Sequence, residues 1–236
     1  MKAVATLLLA AGLAALSAPS AGATNECRGL QICVRVVGPW VVVPSGLRTP
    51  RAPVDFQLSC PKGYLVGGLD AELTDRAIDV EFGGKLGSPV GPGVTTTRAA
   101  VFRASYTGSS PRGPTFRPHL GCVPSSGGGS GPVPYRRPAA AVFPPVSPTV
   151  LRVRNVRLRP GFVRAAAACG KSERLISGWH AIAFYSVAPP SQALIQTVAA
   201  THVVRGSRVE VRARSGIAVQ SVRGIVQVGA VCGGGS

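Results

Sequence analysis

The sequence predicts an all-β protein made of two pseudo-repeated antiparallel units, sandwich- or jelly-roll-like and stabilised by disulfides. Three observations carry that expectation. Short runs of Val, Ile, Leu and Ala alternate with polar residues at a period of two, and Gly, Pro and Ser break them. The stretch Cys60-Pro61-Lys62-Gly63-Tyr64-Leu65-Val66-Gly67-Gly68 has an echo in Cys169-Gly170-Lys171-Ser172-Glu173-Arg174-Leu175-Ile176-Ser177-Gly178. Each stretch is closed by a later cysteine, Cys122 or Cys232.

The echo has a register. Leu65, Val66 and Gly68 return 110 positions on as Leu175, Ile176 and Gly178. Arg98 and Arg208, Val101 and Val211, Ser105 and Ser215, and Cys122 and Cys232 keep that offset. Cys60 and Lys62 match Cys169 and Lys171 at 109, which puts one inserted residue between Lys171 and Leu175.

Residues 1–23 read as a secretory signal: Lys2, an apolar run from Val4 to Leu16, and the small residues Ala21-Gly22-Ala23 at the cleavage point. The run is shorter than the ~20 residues that span a bilayer. Its removal leaves 213 of 236 residues, one large or two small domains. All six cysteines lie in that part, and an even count in an exported chain points to disulfides. Six cysteines allow 15 pairings; the repeat selects Cys60–Cys122 and Cys169–Cys232, leaving Cys27–Cys33.

Residues 24–33 then form an N-terminal disulfide loop, 34–122 the first unit, and 150–232 the second. Val34, Val36 and Val37 open a strand that breaks at Gly38-Pro39 and resumes at Val41. In the second unit, Leu151 and Val153 alternate with Arg152 and Arg154. Past Asn155 the phase shifts to Val156 and Leu158, predicting a β-bulge there. Leu69, Ala71 and Leu73 alternate with Asp70 and Glu72, and Ile78, Val80 and Phe82 with Asp79 and Glu81. We read a hairpin with residues 74–77 as its loop, its acidic face needing positive charge beside it. Residues 94–106 and 203–214 are the clearest strands, the latter turning at Arg205-Gly206-Ser207. Ile217 to Val222 and Ile225 to Cys232 complete the unit, and Ser191 to Ala200 is a weak helix signal with Ser191 as cap. Residues 123–149 read as a Gly/Ser/Pro-rich linker and 233–236 as a flexible tail.

Cys60-Pro61-Lys62-Gly63, Gly67-Gly68 and Cys122 resemble a β-repeat found in uncharacterised secreted bacterial proteins, with residues 58–122 the better match. In residues 167–232 Gly170 replaces the proline, and Ser177-Gly178-Trp179 stands where the glycine pair would be. The resemblance implies a small disulfide-closed all-β module and brings no activity with it.

The formal charge is +17, with 26 basic residues of which only Lys2, Lys62, Lys85 and Lys171 are lysine. Such a surface attracts polyanions through a salt-sensitive field. Arg152 and Arg154, and Arg208, Arg212 and Arg214, line strand faces at a spacing that suits a row of phosphates or sulfates, against the competing reading of a basic face that serves solubility alone. With no helix for a groove and no aromatic platform, sequence-specific nucleic-acid reading is not expected. Asp70, Glu72, Asp79 and Glu81 are a candidate Ca²⁺ face, against the competing reading of pairing with arginine.

Catalytic motifs fail on inspection. Gly170-Lys171-Ser172 ends like a phosphate-binding loop, but Ala165 stands where that loop needs glycine. Ser59-Cys60-Pro61-Lys62 has the spacing of a penicillin-binding serine and lysine without a helix start or companion motifs. His119, His180 and His202 are scattered, and Trp40 and Trp179 read as core. The expected protein is secreted or envelope-associated and non-enzymatic, without cofactor. It would bind an anionic polymer, glycan or membrane surface through its arginine faces. Two other classes stay open: an extracellular hydrolase or hydrolase inhibitor with a spatially assembled site, and a structural coat or matrix component.

Overall fold

A computed structural model of the chain describes residues 24–46, 51–83, 98–109, 113–125 and 150–233. The expected signal at 1–23, nearly all of the expected linker, residues 94–97 and the last three residues, 234–236, lie outside the described residues. The first half holds β1 (Val34–Val37), β2 (Trp40–Val42), β3 (Val54–Ser59), β4 (Tyr64–Leu73), β5 (Ile78–Gly83), β6 (Ala99–Tyr106) and β7 (Thr115–Pro124). The second holds β8 (Val150–Arg157), β9 (Gly161–Ala168), β10 (Arg174–Tyr185), α1 (Gln192–Gln196), β11 (Val198–Arg205), β12 (Arg208–Ser215) and β13 (Arg223–Gly233). The all-β expectation holds.

All described pairings are antiparallel. In the first half β4 pairs with β7, whose other edge takes β1 and then β2, while β5-β6-β3 form a separate sheet. In the second half β10-β13-β8 and β11-β12-β9 repeat that order. The halves are not beads on a string. Val41 and Trp40 of β2 pair with Ala183 and Phe184 of β10, joining both into one seven-stranded sheet.

That shared sheet is buried on both faces near its middle. Trp179, Ala181 and Ala183 of β10 join a core with Phe56, Phe102 and Phe116. Phe184 of β10 and Val226, Val228 and Ala230 of β13 join a second core with Val209, Val211 and Ala213. Sheet β5-β6-β3 therefore packs on one face and sheet β11-β12-β9 on the other. A polar clamp also crosses the halves: buried Gln227 on β13 accepts from the Gln57 amide of β3 (2.6 Å) and donates to its carbonyl (3.0 Å). It imitates one rung of a β-ladder with a side-chain amide.

The disulfides are Cys27–Cys33, Cys60–Cys122 and Cys169–Cys232, the expected set. Closing loops of 62 and 63 residues, the two long bridges contribute roughly 4 kcal/mol each on the chain-entropy account. Trp40 and Trp179 are buried, as expected, and Ser191 caps α1 by accepting from the Leu194 amide.

Four local expectations need correction. β4 and β5 are not a hairpin: β4 pairs with β7 and β5 with β6, so residues 74–77 carry the chain from one sheet to the other. The β8–β13 register runs unbroken from Val150 to Arg157, with no bulge at Asn155. The phase shift has another cause, for Val153 packs against the first core while Val156 and Leu158 belong to the second. Residues 217–220 form a 3-10 turn instead of continuing as a strand. The repeat register also differs. Cys122 pairs opposite Val66, and Cys232 opposite Leu175, an offset of 109 on β4. Cys60 donates to the Arg98 carbonyl and Cys169 to that of Ser207, again 109. The extra residue therefore falls between β12 and β13. Both halves carry a register shift just past the cysteine rung, at Gly67 and at Ile176.

Candidate functional site

On β12, Val209, Val211 and Ala213 point into the second core, which turns Arg208, Glu210, Arg212 and Arg214 to the outer face. The ladder to β9 sets Arg164 directly beside Arg212, and Phe162 beside Arg214. From the neighbouring layer, Arg154 of β8 reaches the same place. A depression of about 230 Å³ is lined by Arg154, Arg164, Arg208, Glu210 and Arg212. It adjoins a more apolar hollow of about 480 Å³, lined by Phe162, Arg164, Thr201, Arg212 and Arg214. Four guanidinium groups from three strands thus share one concavity with a single carboxylate.

That carboxylate is taken by Arg208, 3.3 Å away, and by Arg205, 3.9 Å away. Arg214 sits over the Phe162 ring, 5.7 Å from its centroid. Among the described residues, no carboxylate lies within 4.0 Å of Arg154, Arg164 or Arg212. Like charges held this close favour an anion between them, and a guanidinium fork suits a planar or tetrahedral oxyanion. Arg164 escaped the sequence reading because it stands alone beside an alanine run. Its only signal was strand alternation on β9.

Arg152 does not belong to this site. Its guanidinium grips Glu173 with Nε at 2.9 Å, and Glu173 also accepts from the Gly170 amide at 2.6 Å. The Glu173 bonds raise the Arg152 pKa further, and the Arg152 and Gly170 bonds hold Glu173 below the usual carboxylate range. Gly170-Lys171-Ser172 is the turn between β9 and β10, not a loop at a helix start. Ser59 ends β3, and Cys60 is in a disulfide.

The four acids of the Ca²⁺ candidate are split between sheets. Asp70 and Glu72 are on β4, where Asp70 accepts from the Asn25 amide and Glu72 lies 3.8 Å from Arg117. Asp79 and Glu81 are on β5, and Glu81 stands opposite Arg103 on β6. Arginine pairing, the competing reading, fits this placement; convergence of four carboxylates does not. The one three-residue cluster at metal-ligand spacing among the described residues is Cys169, Glu173 and Cys232, and both cysteines are in a disulfide.

The N-terminal disulfide loop lies over the face of β4 and β7 that carries Asp70 and Glu72. The Glu26 carbonyl presses against Gly68 and Gly121, where a Cβ would come within 1.8 Å and 2.0 Å of it. The glycine pair thus makes room for this loop. Beneath it, the buried Glu26 carboxylate stands 3.8 Å from His119 Nδ1, and Glu72 stands 3.4 Å from Nε2. Burial holds the His119 pKa below its ordinary value, against the pull of Glu72 and Glu26. His180 and His202, 22 residues apart, face each other with Nδ1 atoms 2.7 Å apart. No sequence spacing announces that contact, because it crosses between sheets.

No family model, curated protein or solved structure matches the chain.

Proposed function

We propose that this is an exported, non-enzymatic protein that binds anionic polymers on the outer face of sheet β11-β12-β9. The observation that carries the reading is the convergence of Arg154, Arg164, Arg208 and Arg212 on one concavity with only Glu210 among them. Side chains that served solubility alone would spread apart. These lie at strand spacing, where successive phosphates or sulfates along a chain could each meet a guanidinium. Export is supported by the signal-like residues 1–23 and by three disulfides, which persist in oxidising compartments.

The test is binding of the mature, oxidised protein to DNA, a teichoic-acid-like polymer, a sulfated glycan and acidic vesicles at low and high salt. The expected result is tight binding to at least one, weakening steeply with salt and lost in Arg164→Gln/Arg212→Gln. Weak binding indifferent to those substitutions would refute the reading.

A further inference from the structure

Away from the arginine cluster, His180 on β10 and His202 on β11 bring two imidazole nitrogens to 2.7 Å. The rings meet edge to face, with centroids 4.9 Å apart. His180 is half-buried and His202 exposed, so one ring is held while the other is free to turn. A single proton joins two such nitrogens when one donates and the other accepts. An ion seated beside the N–N line, about 2.0 Å from each nitrogen, would take one lone pair from each ring once that shared proton is gone.

We propose that His180 and His202 form a two-imidazole site for a divalent transition-metal ion, Cu²⁺ or Ni²⁺ ahead of Zn²⁺. The separation carries the preference. Nitrogens about 2.0 Å from an ion lie about 2.8 Å apart when they subtend a right angle, and about 3.3 Å apart at the tetrahedral angle. The observed 2.7 Å is close to the cis spacing of a square-planar or tetragonal ion, which the rings would turn to face. Among the described residues no third His, Cys, Asp or Glu completes a cluster with them. The remaining positions are therefore left to water or an exogenous ligand, as in an exchangeable site rather than a closed structural one.

Burial and the neighbouring His202 hold His180 below its ordinary pKa, against a hydrogen bond to the Ala200 backbone that raises it. The arginine-rich charge of this half repels cations, so coordination and not the general field must hold the ion. Calcium and magnesium, which need oxygen ligands, are excluded by the same donor pair.

Titration of the oxidised protein with Cu²⁺, followed by calorimetry and electron paramagnetic resonance, tests the site. The expected result is one ion per chain with hyperfine structure from two imidazole nitrogens, and affinity falling on acidification as protons compete for the lone pairs. His202→Gln, an exposed change that leaves the fold intact, should weaken binding at least tenfold, and His180→Gln should do the same. Arg164→Gln/Arg212→Gln should not weaken it and should keep the two-imidazole spectrum, which separates this site from the polyanion face. No copper bound at micromolar concentration, an unchanged affinity in His202→Gln, or a spectrum with fewer than two imidazole nitrogens would overturn the proposal.

Discussion

The two halves share one strand order and one disulfide plan, yet they use arginine in opposite ways. Residues 24–125 carry eleven basic and seven acidic residues; residues 150–233 carry twelve and two. In the first half several of the described arginines are engaged. Arg103 makes two bonds to Asp55 (2.8 and 3.0 Å), Arg117 lies beside Glu72, and Arg51 donates to the carbonyls of Tyr106 and Gly108. In the second half Arg152 alone has a carboxylate to itself, while Arg154, Arg164 and Arg212 have none within 4.0 Å. One scaffold thus separates arginines that hold carboxylates and carbonyls from arginines with no carboxylate partner.

The comparison is broken most forcefully at the disulfides. Replacing Cys60 and Cys122, or Cys169 and Cys232, by alanine should cost roughly 4 kcal/mol in either half, against about 2 kcal/mol for the Cys27–Cys33 pair. Denaturant midpoints measure this, and unequal losses from the two long bridges would show that the halves are not energetically matched. The join between halves comes next. Gln227→Leu leaves the Gln57 amide and carbonyl without their partner, an expected loss of about 3 kcal/mol by urea unfolding.

A glycine change sharpens the difference between the outer faces. Gly68→Ala drives a methyl into the Glu26 carbonyl, and the expected outcome is about 2 kcal/mol of lost stability with faster hydrogen exchange over residues 25–33. At Ser177, which takes the rung of Gly68 in the second half, Ser177→Ala should have little effect. The smallest effect is on pH. A histidine whose folded pKa is depressed binds fewer protons folded than unfolded, so stability is full above about 6.5 and declines as pH falls through the window below it. His119→Gln should therefore flatten the loss of melting temperature between pH 7 and pH 5, and a curve as steep as the parent's would remove His119 from the account.

Much of this was legible in the chain. Even cysteine number and a repeated opening were enough for all three bridges, because the pairing constraint is topological. Alternation placed most strands, since burial of one face writes a period of two into the residues. Partner choice was not legible. Leu73 and Ile78 look like facing hairpin residues, but local alternation says only that each strand buries a face, not which sheet it joins. The phase shift at Asn155 misled for a related reason, because β8 touches one core at Val153 and the other at Val156. At the site, Arg208, Arg212 and Arg214 were visible as a ladder and Arg154 as part of a shorter row. Their convergence with Arg164, the withdrawal of Arg152 by Glu173, and the meeting of His180 with His202 all depend on how sheets stack.

The most direct measurement is the salt dependence of polyanion binding for matched pairs of variants from the two halves. Each phosphate contact removed should lower the slope of log K against log salt by about 0.7 to 0.9. The account predicts that Arg164→Gln/Arg212→Gln lowers the slope by roughly 1.4 to 1.8 with the melting temperature unchanged. It predicts that Arg103→Gln/Arg117→Gln lowers the melting temperature and leaves the slope nearly as it was. Equal slope changes from both pairs would contradict it, and binding would then belong to net charge rather than to the outer face of the second half.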